Sequence, residues 1–242
     1  MRRTTAFLRH SQKYLILMVL WLSYVGLYLN RRNVSIVMPV LMTEMRIDHA
    51  QAGFLVTAFF IIYALVQIPS GWLADRVGGK KVATLGNVIT AVSSYASGWA
   101  LSYFPLLLTR LFCGSGQGMG WPSSTKLVAE WFPPDKRGVA MGILTSSVAL
   151  GSFLALVLAG LFLSIYDWHA VFFIPALILT FITVIFWLVV KDHPNTVIVE
   201  AAAKDKVFRR QVAGVLKDRV MRRIAFSYFC WKYAFEGLFY WL

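Results

Sequence analysis

Carboxylates are scarce in this 242-residue chain: 11 acidic residues stand against 24 lysines and arginines, for a formal net charge of +13. Charges of either sign are few as well, at 14% of residues against about 25% in an ordinary soluble domain, which excludes that class. The cation excess does not point to nucleic acid, because the basic residues sit between apolar runs and form no single face. Only two cysteines occur, Cys113 and Cys230, both in apolar segments, so neither a disulfide framework nor a metal site is indicated. His10, His49, His169 and His193 are too far apart for ligand spacing and are assigned structural or incidental roles. No metal, no cofactor and no nucleic-acid partner is expected.

What the chain has is apolar sequence. With 58% hydrophobic residues and a mean hydropathy of +0.64, it reads as an all-α polytopic membrane protein embedded in a lipid bilayer. Runs long enough to span lie at residues 14–43, 52–73, 82–103, 106–131, 139–166 and 170–190, and a seventh begins near Ile224. The start, MRRTTAFLRHSQKYLILMVLWL, imitates a secretory signal, but no small-residue cleavage site follows, so the first span is read as retained.

Basic residues orient these spans. Arg2, Arg3, Arg9 and Lys13 precede the first; Arg76, Lys80 and Lys81 join the second to the third; Lys136 and Arg137 join the fourth to the fifth. The alternate loops carry only Arg46. By the positive-inside rule the N-terminus is cytoplasmic and six spans return the chain to that side of a cell (inner or plasma) membrane.

The expected organisation is a six-span bundle at 1–191, a basic cytoplasmic linker at 192–223, and the start of a second bundle at 224–242. Within the linker Phe208, Val212, Val215, Leu216 and Val220 recur at helical spacing among cations. That pattern fits an amphipathic helix on an anionic leaflet and equally a solvated linker. Six complete spans and an incomplete seventh read as half of something larger.

The first span poses the central question. A helix over residues 14–43 is about 45 Å long, enough to cross a bilayer, and it places Arg31 a little beyond its midpoint. Arginine at that depth costs about 2.5 to 3.5 kcal/mol on insertion scales, and such residues face a bundle interior or a wet cavity. Tyr24, Tyr28, Arg31 and Ser35 share one helical face, with Arg32 turned about 100° away to flank it. The alternative ends the span at Leu29 and makes both arginines flanking charges. It leaves residues 34–42 too short to cross as a helix.

Two further stretches carry organisation. In GWLADRVGGKK, residues 71–81, Gly71 permits close approach of helix ends, Asp75 is placed to accept from a helix N-terminus or pair with a basic group, and Gly78 with Gly79 permits a tight turn. In the fourth span Arg110, Gly114, Gln117, Trp121 and Ser124 share a face, while Gly114 with Gly118 and Gly116 with Gly120 form overlapping GxxxG pairs. Packing accounts for the glycines, and Gln117 and Trp121 are kept as site candidates. Arg137, in the turn Asp135-Lys136-Arg137-Gly138, is expected to pair with Asp75. Two weaker stripes, Tyr63 with Gln67 and Ser70, and Thr145 with Ser152, fit either a cavity or helix-to-helix hydrogen bonding.

The order glycine, acid, base, glycine, base at Gly71, Asp75, Arg76, Gly78 and Lys80 resembles the loop signature of the major facilitator superfamily. Within it, YLNRRN at residues 28–33 and GQGMGWP at 116–122 look like the organophosphate:phosphate antiporter branch of glycerol-phosphate and hexose-phosphate carriers. The resemblance covers nearly the whole chain and implies a major-facilitator-type six-helix bundle followed by the first helix of a second. It implies that Arg31 is the first-half phosphate-binding arginine and that Lys232, in WKYAFEGLFYW, stands where the second half carries its basic partner. Lysine there replaces a bidentate fork by a point charge. A further departure is TSSVALG at 145–151, which lacks the fifth-span histidine of the glycerol-phosphate carriers. The fifth span also lacks the glycine-proline pattern of drug:proton antiporters.

An enzyme is not expected: Ser115 has no histidine at comparable depth to act as its base, and no catalytic residue is assigned. The expected function is transport of a small organic anion, a phosphate ester, by alternating access around a midplane site between two halves. Candidate substrate contacts are Arg31, Lys232, Tyr28, Tyr63, Gln117 and Trp121. Inorganic phosphate or protons are the coupling ions weighed, and the missing C-terminal half or a second copy is needed to complete the cavity. The alternatives are a proton-coupled carboxylate symporter, although Gln117 stands where its acidic residue is expected, a sugar-phosphate sensor, and an inactive truncated carrier.

Overall fold

The computed structural model describes residues 2–192, 214 and 218–241, with side chains for 12–192, 214, 218–231 and 234. All regular structure among them is helical. Two compact units divide the chain, Met1–Thr196 and Val197–Leu242. The first holds α1 (Arg2–Glu44), α2 (His49–Val77), α3 (Gly79–Gly98), α4 (Tyr103–Gly118), α5 (Gly120–Trp131), α6 (Pro134–Ile165) and α7 (Ala170–Val189); the second holds α8 (Arg219–Trp241). Linker residues 193–213 and 215–217, with Phe208, Val212, Val215 and Leu216, lie outside the described residues.

α1 is one unbroken helix through Arg31 and Arg32, so the alternative that stopped it at Leu29 is excluded. Among the described residues four helical segments are each long and apolar enough to cross a membrane: Gln12–Glu44, His49–Val77, Pro134–Ile165 and Ala170–Val189. The third expected span ends earlier than read, at Gly98, and its polar residues turn inward: Asn87, Thr90, Ser93, Ser94 and Ser97 are all buried. α3 is the inner helix, packed chiefly on α4 and α7, while α1 packs on α6 and α7 and α2 on α4. A helix walled by neighbours can carry polar side chains that a lipid-facing one cannot, since partners are available inside: Asn87 donates to Ser23 Oγ and Ser97 to Thr109 Oγ1, both at 2.8 Å.

The fourth expected span is corrected to two helices, α4 and α5, interrupted at Met119. Pro122 is the cause. It has no N–H to give the Gly118 carbonyl four residues back, and its ring crowds that carbonyl. Ser70 Oγ on α2 donates to the freed Gly118 oxygen at 3.2 Å, which settles Ser70 as a helix-to-helix contact. The same exchange recurs twice. Pro175 inside α7 withholds an N–H from Val171, and Asn33 Nδ2 on α1 donates there at 2.8 Å. Pro133 withholds one from Ala129, and Arg137 Nη2 donates there at 2.7 Å.

Two apolar clusters fill the bundle. One joins Ile16, Leu20, Tyr24 and Tyr28 to Leu127, Leu144, Leu179 and Phe186; the other joins Val34, Val37 and Leu41 to Leu55, Leu106, Val171 and Phe172. Between them α1 carries Asn30, Arg31, Arg32 and Asn33, every one buried. A polar layer therefore separates two apolar ones at the level of Arg31.

Candidate functional site

Arg31 lies about 28 Å along α1 from Gln12 and about 20 Å from Glu44, within the 33-residue span. Its side chain is 4% exposed. Nε donates to Gln117 Oε1 on α4 at 2.7 Å and Nη1 donates to the Tyr28 hydroxyl at 3.3 Å. The guanidinium carbon stands 4.7 Å from the Tyr28 ring centroid, 4.5 Å from Tyr63 and 5.5 Å from Phe59. These contacts are an amide oxygen, a hydroxyl and aromatic faces, which orient the guanidinium.

Backbone contact between α2 and α4 builds this pocket wall. A Cβ on Gly114 would come within 2.5 Å of the Phe59 carbonyl oxygen, and one on Gly118 within 2.7 Å of that of Tyr63. Only glycine lets the helices meet there, and meeting brings both rings onto Arg31. Phe59 and Tyr63 stack at 6.1 Å with planes 13° apart. Gln117 is fixed in turn: its Nε2 donates to the Leu27 carbonyl at 3.1 Å, leaving Oε1 for Arg31. Trp121 reaches the cluster through Tyr24, edge to face at 5.5 Å. Arg110, two turns from Gln117 on the same face of α4, is 3% exposed, and its guanidinium carbon lies 5.0 Å from the Phe59 centroid.

The expected residues thus divide. Arg31, Tyr28, Tyr63 and Gln117 converge, Trp121 joins by way of Tyr24, and Arg110 touches the same ring as Arg31. Thr145 is exposed and donates to Met141 within its own helix. Lys232 belongs to α8 in the second unit, and its side chain lies outside the described residues. Phe59 was not singled out from the sequence, although it sits one turn before Tyr63 and the spacing of four was available as a signal.

The end of the bundle near Gly71 is held by different chemistry. Gly71 faces Pro122, with ordinary room for a Cβ. Asp75 pairs with Lys126 at 3.1 Å, not with Arg137 as expected. Lys126 Nζ also donates to the Ala74 carbonyl at 2.9 Å and lies 3.6 Å from Glu130. Arg137 is occupied elsewhere, since Pro133 exposes Ala129 O and the end of α5 exposes Phe132 O, to which its Nε donates at 3.0 Å. Arg76 stacks on Trp72 at 3.8 Å. Gly78 turns the chain at φ 99°, a conformation that suits glycine. The next helix start is capped by Asp192 instead of Asp75: Lys80 N–H donates to Asp192 Oδ1 at 2.9 Å.

Known transporters resemble this chain in sequence and fold. A probable sulfoacetate transporter of Cupriavidus necator is 30% identical over 77% of this chain and 44% of that protein. A probable hexose phosphate transport protein of Chlamydia trachomatis is 26% identical over 92% of this chain and 50% of that protein. The chain spans about half the length of the curated relatives it matches. A bacterial homologue of the human lysosomal transporter Spinster, solved inward-facing and occupied, superposes with a TM-score of 0.69 at 24% identity, covering 75% of this chain and 45% of that one, a likeness of fold. Residues 20–242 match the family's sequence pattern, and the chain belongs to the Major Facilitator Superfamily, as a multi-pass membrane protein of that helical fold.

Proposed function

We propose that this chain forms one half of a carrier for a small organic anion, with Arg31 as the anion contact of its first bundle. One observation carries the reading. Arg31 is buried well inside the first span, held by the Gln117 amide oxygen and the Tyr28 hydroxyl and faced by the Tyr28 and Tyr63 rings. A guanidinium so placed has lost hydration and attracts an anion more strongly than a surface arginine does. Its fork matches phosphate and carboxylate oxygens.

The finer reading is a phosphate ester carried by alternating access, in exchange for inorganic phosphate. The resemblance of YLNRRN and GQGMGWP to the organophosphate branch supports it, as does the hexose phosphate relative. The amide of Gln117 does not titrate, which favours phosphate exchange over proton coupling through that position. Lys232 is proposed as the basic partner from the second half, with Tyr28, Tyr63 and Trp121 lining the site.

Binding to purified protein tests this. Arg31→Lys keeps charge but loses the fork and is expected to weaken a phosphate ester, and Arg31→Ala to lose nearly all binding, on a scale of about 1.5 to 3 kcal/mol per charge-assisted contact. A parent-like Arg31→Ala protein of equal helicity overturns the reading. Radiolabel uptake measured beside binding separates carrier from sensor, since a sensor binds without accumulating.

A further inference from the structure

The buried guanidinium of Arg110 has no role in the proposed site, yet its surroundings are unusual. It is 3% exposed, and its Nη1 is buried without a hydrogen-bond partner. A buried donor left unmade is costly, and more so when charged. Its ring contact is Phe59, whose centroid lies 5.0 Å from the Arg110 guanidinium carbon and 5.5 Å from that of Arg31. Two cations therefore rest against one apolar ring, whose helix α2 meets α4, the helix of Arg110, at Gly114.

From this geometry we infer that Arg110 is a second anion contact, so that the site takes anions bearing two separated negative groups. One group meets Arg31 and the other meets Arg110, while the apolar middle of the ligand lies along Phe59. The inference rests on the reading of Arg31 as an anion contact and narrows its substrate class. It covers short dicarboxylates, sulfonate-carboxylates and phosphorylated acids alike, because each presents acceptor oxygens at both ends. Lone monoanions satisfy Arg31 and leave Arg110 Nη1 as it is. Phe59 contributes the apolar contact that both guanidiniums share.

The test compares succinate with butyrate, which have the same carbon count but two carboxylates and one. Titration of the purified 242-residue chain in detergent is followed by NMR, which reads weak binding, at a pH where all carboxylates are ionised. Succinate is expected to bind about tenfold tighter than butyrate. Arg110→Gln should abolish that advantage while leaving butyrate within about twofold, and Arg110→Lys should restore part of it. Arg31→Gln should weaken both ligands. Equal binding of succinate and butyrate by the parent chain overturns this inference alone, as does an Arg110→Gln protein that keeps the preference. Absence of binding by either ligand overturns the reading of Arg31 together with this one. Should Arg110→Gln not fold, the parent ratio and the Lys variant decide.

Discussion

Arg31 Nε and Gln117 Oε1 meet at 2.7 Å, joining α1 to α4 by a hydrogen bond in which only the donor is charged. A carboxylate at the same place would form an ion pair and cancel the charge that the site offers an anion. An amide oxygen orients the guanidinium and leaves its charge in place. Leu27 O holds the other end of the amide, so Gln117 cannot flip without breaking a second buried bond.

Gln117→Glu is accordingly expected to make binding depend on pH. At neutral pH the new carboxylate is ionised and competes with the ligand for Arg31. As pH falls and it takes a proton, binding should recover toward that of the parent. The measurement is the ratio of variant to parent affinity for one ligand at each pH, which removes the ligand's own titration. A ratio that stays flat between acid and neutral pH counts against the pairing described.

Gly114→Leu and Gly118→Val should lower thermal stability by about 1 to 3 kcal/mol or more, because each side chain must displace backbone of α2. Gly142→Ala provides the contrast, since nothing lies within 4 Å of a Cβ there. That change should be neutral or stabilise by up to about 1 kcal/mol through helix propensity. Thermal unfolding followed by circular dichroism in detergent reads all three. If the Gly114 variant melts with the parent, α2 and α4 do not meet as described.

How much of this was legible beforehand varies with the range of the contact. Facing within one helix follows from its period, so the stripe of Tyr24, Tyr28 and Arg31 and the glycine face of the fourth span were readable from spacing. Pairing between helices does not follow from spacing. Asp75 and Arg137 have opposite charges in neighbouring turns, and nothing in their order announces that Pro133 leaves Ala129 O open for Arg137 or that Lys126 lies nearer Asp75. Asp192 escaped for the same reason, since its partner is a helix start 112 residues earlier. Phe59 carried only its spacing of four from Tyr63, too weak to mark one of 18 phenylalanines before Gly114 brought its helix against α4.

Topology gives an independent check. Tags at residue 1 and within 201–206 should be cytoplasmic, and a tag between Arg46 and His49 should be external, because the cations cluster on the opposite side. Protease protection in sealed vesicles of known orientation reads each tag. External exposure of the 201–206 tag in intact cells would reverse the span order.

The last prediction concerns the prolines. Because Pro175 has no N–H, Val171 O on α7 depends on Asn33 Nδ2 from α1, at 2.8 Å. Asn33→Ala should therefore strand a buried carbonyl, and hydrogen bonds between membrane helices average about 0.6 kcal/mol with a maximum near 1.7. A loss toward the upper end is expected here, since no N–H at residue 175 is available as a substitute. Pro175→Ala supplies that N–H from within the helix. In the Pro175→Ala background, Asn33→Ala should then cost distinctly less than it does alone, giving a coupling energy of about 0.5 kcal/mol or more in a double-mutant cycle. Reversible unfolding in mixed micelles measures all four corners. Purely additive costs would mean that Asn33 acts through packing alone, and the account of side chains replacing the hydrogen bonds that prolines remove would have to be withdrawn for α7.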